Sequence, residues 1–230
     1  MKICNLIKTG GEDLKRNNII SYRLDSEILM SKVLNKKREY VILNPDTKIN
    51  TTQSSNFKNL IYQRSCGQPI AYLVGKKEFW NYEFKVSRDV LIPRPDTEIL
   101  IEEVLKITKN KSKLKVLDIG IGSGCIILSI LKERSDFYGT GIDLSKKCID
   151  ISKINALSLG VNSRIKFFKS DIDNFNYGKY DLIISNPPYI TSIELNRLDD
   201  DIKFHEPKLA LSGGSDGLRD LKKVILKSKK

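Results

Sequence analysis

Ser185-Asn186-Pro187-Pro188-Tyr189 is the stretch best equipped for chemistry, and it follows the apolar run Tyr180-Asp181-Leu182-Ile183-Ile184. That run predicts a buried parallel strand, and open α/β sheets bind ligands at the carboxyl ends of such strands. Two successive prolines remove two backbone donors and keep the segment extended, so the carbonyls of Asn186 and Pro187 stay out of any helix. A side-chain amide, a free carbonyl and an aromatic ring thus converge on one point. The set suits a planar target carrying an NH2 group: the two acceptors take its hydrogens and Tyr189 covers its face. The competing reading is a turn in which the prolines only terminate a strand.

A second group of residues lies upstream. Lys115-Val116-Leu117-Asp118-Ile119 reads as a strand, Gly120-Ile121-Gly122-Ser123-Gly124 as a loop, and Cys125 to Leu131 as an apolar helix. Strand, glycine loop and helix make the first unit of a nucleotide-binding sheet. Glycines admit a ligand close to the backbone, and the helix start offers unpaired N–H groups to a carboxylate or a phosphate. The spacing is Gly-x-Gly-x-Gly rather than Gly-x-Gly-x-x-Gly. Tyr138 to Ile142 gives the second strand, ending in Asp143 about 20 residues past the loop, where a carboxylate accepts both ribose hydroxyls. Adenosine is implied, and dinucleotide phosphates are not required. Ile165 to Lys169 gives the third strand, closed by Ser170-Asp171; there a carboxylate can accept from an adenine amino group while Ile172 packs on the ring. For Asp143 and Asp171 the alternative role is a helix cap.

Composition narrows the classes. With 230 residues and 40% apolar content the chain can build one large core or two smaller ones. No run reaches the roughly 18 apolar residues of a membrane span, and the start lacks a signal-peptide core, so a cytoplasmic protein is expected. Cys4, Cys66, Cys125 and Cys148 are scattered, and His205 is the one histidine. Reduced thiols, no metal site and no histidine-based catalysis follow as expectations. The net charge of +12 would suit an anionic partner, but the lysines are dispersed and no dense basic run with interleaved aromatics points to direct nucleic-acid binding.

The positioning elements precede the glycine loop. From Gly11 to about Arg64 apolar residues such as Ile28, Leu29, Val33 and Leu34 recur at helical spacing, with Asp25 or Ser26 as a candidate cap and Asn44-Pro45-Asp46 as a break. Phe57, Leu60 and Ile61 open another helix that ends near Cys66-Gly67. Between Pro69 and Pro93 the period changes: Ala71, Leu73, Phe79, Phe84 and Val86 alternate with polar residues around Trp80-Asn81-Tyr82, which predicts a β-hairpin with Trp80 as packing anchor rather than ligand platform. Pro93 to Glu98 then opens a helix capped by Asp96 or Thr97, whose buried stripe is Ile99, Leu100, Ile101 and Val104. The expected organisation is a helical domain over 1–68, a hairpin linker over 69–93 and an α/β domain over 94–230.

Asn-Pro-Pro-Tyr resembles the signature of amino-group methyltransferases that use S-adenosylmethionine. With Gly67-Gln68-Pro69-Ile70-Ala71-Tyr72-Leu73, Glu78-Phe79-Trp80, Leu91-Ile92-Pro93-Arg94-Pro95-Asp96-Thr97-Glu98 and the glycine loop, the chain resembles the peptide chain release factor N5-glutamine methyltransferases from about Asp25 to Gly217. Glu206-Pro207, Ala210-Leu211 and Gly213-Gly214 match that family's run after the catalytic loop, with His205 a surface or packing residue. The resemblance implies a Rossmann-like, class I S-adenosylmethionine-dependent methyltransferase fold. It also implies an N-terminal helical bundle that, with the hairpin, helps hold a release factor whose Gly-Gly-Gln loop enters the cleft. It assigns Gly120, Ile121, Gly122, Ser123, Gly124, Asp143, Asp171 and Ile172 to the cofactor, Asn186 to the junction of cofactor and substrate, and Asn186, Pro187, Pro188 and Tyr189 to the glutamine pocket. Catalysis falls to Asn186, Pro187 and Tyr189. Ile172 stands where many relatives have an aromatic ring, which weakens stacking on adenine.

Two rival readings remain. The same pocket accepts the exocyclic NH2 of a flipped adenine, although no target-recognition insert beyond the hairpin is present. The chain also stops at Ser228-Lys229-Lys230, where the family continues into further strands. The second rival is therefore a truncated, non-catalytic remnant: the order the resemblance implies is 3-2-1-4-5-7-6, so strand four at Leu182 to Ile184 becomes an exposed edge, with lower stability and weak or absent activity expected.

Overall fold

The computed structural model describes residues 1–228 and divides into two compact units, Met1–Gly75 and Lys76–Lys230. The first unit is helical: α1 (Ile3–Arg16), α2 (Tyr22–Leu34), α3 (Arg38–Leu43), α4 (Thr51–Ser65) and α5 (Ile70–Val74). Its core joins Ile3, Leu6, Leu14, Leu29, Met30, Phe57 and Ile61, each supplied at helical spacing. Asn50 starts α4 with a reciprocal capping box to Gln53, the two bonds measuring 2.8 and 3.1 Å.

Three local expectations are corrected in these segments. Asp25 and Ser26 lie inside α2 rather than at its start, and both are buried. Asp25 accepts from Arg64 Nε at 2.7 Å, and the Ser26 hydroxyl donates to the Ile7 carbonyl at 2.9 Å. Their polar groups are used across helices, which sequence pattern around α2 does not register. The alternation expected from Ala71 begins too early: Ile70–Val74 is helical, closed by Gly75 in the left-handed region, and the hairpin is confined to the residues after it. The expected linker over 69–93 is thus split, with its first residues in the helical unit and the hairpin in the second.

The second unit opens with that hairpin, β1 (Lys76–Phe79) and β2 (Tyr82–Lys85), in antiparallel register Phe79↔Tyr82. Trp80 and Asn81 form its two-residue turn, both at positive φ (51° and 60°), as a type I′ connection requires. A tryptophan in that conformation needs outside support. Glu98 accepts from the Trp80 backbone N–H at 2.8 Å, and Glu133 from the indole N–H at 3.0 Å. Trp80 packs against the core formed around Phe79, Phe84, Ile101 and Ile127.

A 3₁₀ turn over Pro95–Thr97 leads into α6 (Glu98–Ile107). Thr97 occupies the position before α6 but has helical backbone angles and makes no side-chain cap, and Asp96 lies within the 3₁₀ turn; neither is the expected cap. There follow β3 (Lys115–Ile119), α7 (Cys125–Glu133), β4 (Tyr138–Asp143), α8 (Lys146–Ser158), β5 (Ile165–Lys169), β6 (Leu182–Ser185), β7 (Ile190–Thr191), α9 (Asp200–His205), β8 (Ser212–Gly214) and α10 (Arg219–Ser228). The main sheet is parallel, in the order β5-β4-β3-β6, which is the first four strands of the expected 3-2-1-4-5-7-6. Among the described residues β6 is its outer strand, and β7 pairs separately with β8. No helix among them is long and apolar enough to cross a membrane.

Strand ends place the loops. Val116, Leu117 and Ile119 are buried on β3, α7 is buried along most of its length, and both fix the glycine loop between them. Ile119 stands opposite Ile142 on β4 and Ser185 on β6, so the residues after all three strands emerge at one sheet edge.

Candidate functional site

Gly120, Gly122 and Gly124 all adopt positive φ (78°, 55° and 82°). A Cβ on Gly124 would meet Leu128 Cδ1 at 2.7 Å, so this position needs glycine for helix packing as well as for its backbone angle. A Cβ on Gly120 would meet nothing within 4 Å: that side of the loop is open. Behind the loop the fastening is dense. The Gly120 and Ile121 N–H groups donate to the Ile142 carbonyl, each at 2.9 Å. From α8, the Ser152 hydroxyl donates to the Gly122 carbonyl and the Asn155 amide to the Ser123 carbonyl, both at 2.8 Å. Asn155 also bonds both backbone groups of Lys85 on β2, at 2.7 and 3.0 Å.

Asp143 ends β4 with its carboxylate divided: Oδ2 accepts from the Gly122 N–H at 3.0 Å and Oδ1 from the Ser145 N–H at 2.8 Å. Ser145, not Asp143, caps α8. Asp171 accepts from the Asp173 N–H at 2.8 Å in a local turn. Ile172 packs with the cluster around Leu117, Ile119, Ile142 and Phe175. Asp118, within β3, is fully buried, and neither of its oxygens has a hydrogen-bond partner among the described residues. Burial, and then the negative charge of Asp143, raise its carboxyl to about 7. Cys125 opens α7, where a helix start favours thiolate, but burial pushes its thiol up to about 12.

Asn186 follows β6, whose Ser185 hydroxyl donates to the Ile119 carbonyl at 2.7 Å and ties β6 to the strand that carries the glycine loop. The Asn186 side chain donates through Nδ2 to Thr97 Oγ1 at 3.4 Å. Asn186, Pro187 and Tyr189 line a cavity of about 450 Å³ with Arg94, Asp96 and Thr97. Tyr189 is 67% exposed, a ring standing open at this cavity rather than packed in the core. Pro188 is not among the lining residues; its backbone faces Gly213, where a Cβ would lie 2.7 Å from the Pro188 oxygen and 2.8 Å from Tyr189 Cα. Beyond it, Ile190 and Ser192 donate to the Leu211 and Gly214 carbonyls at 3.0 Å. The run around β8 thereby pins the far side of the Asn-Pro-Pro-Tyr loop, and only glycine at 213 permits this approach.

The model for the PrmC N-terminal domain matches residues 5–75, and that for the methyltransferase small domain matches residues 95–199. A release factor glutamine methyltransferase of Buchnera aphidicola (subsp. Schizaphis graminum) is 42% identical over 206 residues, covering 90% of this chain and 74% of the relative. One from Clostridium acetobutylicum is 40% identical over 233 residues, covering 100% of this chain and 82% of the relative. The chain belongs to the release factor glutamine methyltransferase family.

The cavity brings Asn186, Pro187 and Tyr189 together, and its supports come from residues that carry no local signal in the sequence. Glu206 is buried, pairs with Arg94 and accepts from the Ile92 N–H at 3.4 Å, so the Leu91–Thr97 wall of the cavity is held from the end of α9. Both partners lie in stretches that carry the family resemblance, yet nothing local to either announces the pair. Ser152 and Asn155 gave no signal at all: a helix with polar residues on one side ordinarily reads as solvated. Asp118 gave one, since a charged residue inside an apolar strand is anomalous.

Proposed function

We propose that this chain methylates the side-chain amide nitrogen (N5) of the glutamine in the Gly-Gly-Gln motif of peptide chain release factors, with S-adenosylmethionine as donor, in the cytoplasm. In this reading the helical residues recognise the release factor and the α/β unit carries out the transfer. The observation that carries the reading is Asn186, which donates through Nδ2 to Thr97 and lines one cavity with Pro187 and Tyr189, with no hydrogen bond to its Oδ1 among the described residues.

The residues suit the donor. Gly120 leaves open space beside the loop backbone, and the orphaned Asp118 carboxylate is complementary to a cationic amino group. Gly120 to Gly124 would hold the amino-acid end, Asp143 the ribose, and Asp171 with Ile172 the adenine. When bound, the donor supplies an electrophilic methyl group on a sulfonium. An amide nitrogen is a poor nucleophile because its lone pair is delocalised into the carbonyl. Asn186 Oδ1 and the Pro187 carbonyl accept hydrogen bonds from the substrate NH2, fixing its direction and stabilising positive charge as it develops on nitrogen. The Tyr189 ring face favours the same charge. The extra proton leaves to solvent after transfer, so no general base is needed beforehand.

Asn186→Ala is expected to lower release-factor methylation by roughly 100-fold or more while S-adenosylmethionine binding, measured by calorimetry, is retained. Equal losses of affinity and turnover would make Asn186 mainly a donor ligand. Methylation of adenine in DNA, with none on release factor, would overturn the substrate assignment.

A further inference from the structure

We infer that Thr97 is a positioning residue for Asn186, restraining the place of its side-chain amide at the substrate cavity, with the Nδ2 end on Thr97 and Oδ1 left for the substrate; this rests on the methyl-transfer reading above. An amide has a donor end and an acceptor end of nearly equal shape, and only the acceptor end is useful against an incoming NH2 group. Asn186 sits in an extended loop before two prolines, which fixes its backbone but leaves its side-chain torsions free.

Three observations bear on Thr97. Its Oγ1 accepts from Asn186 Nδ2 at 3.4 Å, and both residues line the same cavity. It stands immediately before α6, where a threonine hydroxyl ordinarily caps the helix, yet it makes no cap bond and its backbone is already helical. Its hydroxyl is turned to Asn186 instead. The backbone that carries Thr97 is itself anchored: its N–H donates to the Arg94 carbonyl at 3.0 Å, and Arg94 pairs with the buried Glu206, which also accepts from Ile92. A hydroxyl can meet either end of an amide, so Thr97 restrains the place of the side chain. Contact through Nδ2 then leaves Oδ1 for the cavity. The reverse orientation would present a donor to the substrate NH2.

Thr97→Val keeps the shape and removes the acceptor, whereas Thr97→Ser keeps the hydroxyl. The valine variant is expected to lower kcat roughly tenfold, the worth of one neutral hydrogen bond, with KM for release factor and S-adenosylmethionine affinity within about twofold of wild type. The serine variant restores kcat. In the donor-free chain, the Asn186 side-chain NH2 resonance is expected to shift and exchange faster with water in the valine variant, and to return in the serine variant. Wild-type kcat in Thr97→Val, or an Asn186 resonance unmoved by it, overturns the role of Thr97 and leaves the methyl-transfer reading standing. A kcat loss that serine fails to restore assigns Thr97 to packing and also overturns it. Absence of glutamine methylation by the wild-type chain overturns both.

Discussion

Asp25 in the helical unit and Asp118 in the α/β unit are carboxylates equally removed from water, at 2% and 1% exposure. Asp25 is answered from within the chain: Arg64 donates to it at 2.7 Å and also reaches the Gln68 carbonyl at 3.2 Å. Among the described residues Asp118 meets no partner within hydrogen-bond geometry; the Ile127 backbone N–H lowers its carboxyl by less than burial and Asp143 raise it, so it is held nearer to its neutral form. Burying a carboxylate is costly unless it is paired or protonated, and the two units take the two different routes. A pair closed inside the protein belongs to the fold. A carboxylate buried without a partner next to a glycine loop is, on the proposed reading, complementary to a ligand that brings its own positive charge.

The largest effect should come from breaking the closed pair. Asp25→Ala leaves the Arg64 guanidinium buried without its partner, and we expect a loss of about 3–5 kcal/mol in denaturant unfolding. Donor affinity in the folded state should be unchanged. If Asp25→Ala proves harmless to stability, the two carboxylates do not differ as described.

Asp118→Asn should do the opposite. Removing a buried group that resists ionisation leaves stability at pH 8 unchanged or raised, while S-adenosylmethionine affinity falls by about 1–3 kcal/mol, the scale of a charged hydrogen bond lost. A variant that unfolds more easily than wild type at pH 8 but binds the donor normally would reverse the assignment.

The smallest effect, and the sharpest test, is in pH dependence. The Asp118 carboxyl is raised, so its neutral form favours folding: the contribution is complete below the unfolded value near 4, declines as pH rises, and is gone above about 7. The stability difference between wild type and Asp118→Asn in the donor-free chain should therefore move against wild type across that window. Donor binding favours the ionised form, so wild-type affinity should weaken below about pH 7, with proton release on binding seen by calorimetry in two buffers. A flat difference across the window would mean that Asp118 does not titrate there.

Much of the site was legible because its signals are local. Positive φ at Gly120, Gly122 and Gly124, the missing donors at Pro187 and Pro188, and the apolar runs of β3, β4, β5 and β6 are properties of residues within a few positions of one another. So are the helical spacings of the first unit. The same local rules misplaced Asp25, Ser26 and Thr97, because a polar side chain near a helix start has two uses, capping its own helix or reaching another segment, and only the folded chain selects between them.

The sequence by itself determined the parallel strands, the glycine loop, the Asn-Pro-Pro-Tyr loop at a strand end and, through its motifs, the family and with it the sheet order. Tertiary structure alone decided that Asn186 is held by Thr97, 89 positions away, that Glu206 anchors Arg94 across 112 positions, and that Asp118 has no hydrogen-bond partner among the described residues while Asp25 does. Backbone preference and hydrophobic period act over one or two turns of chain, whereas the partner of a buried polar group depends on which distant segments the closed core brings within about 3 Å.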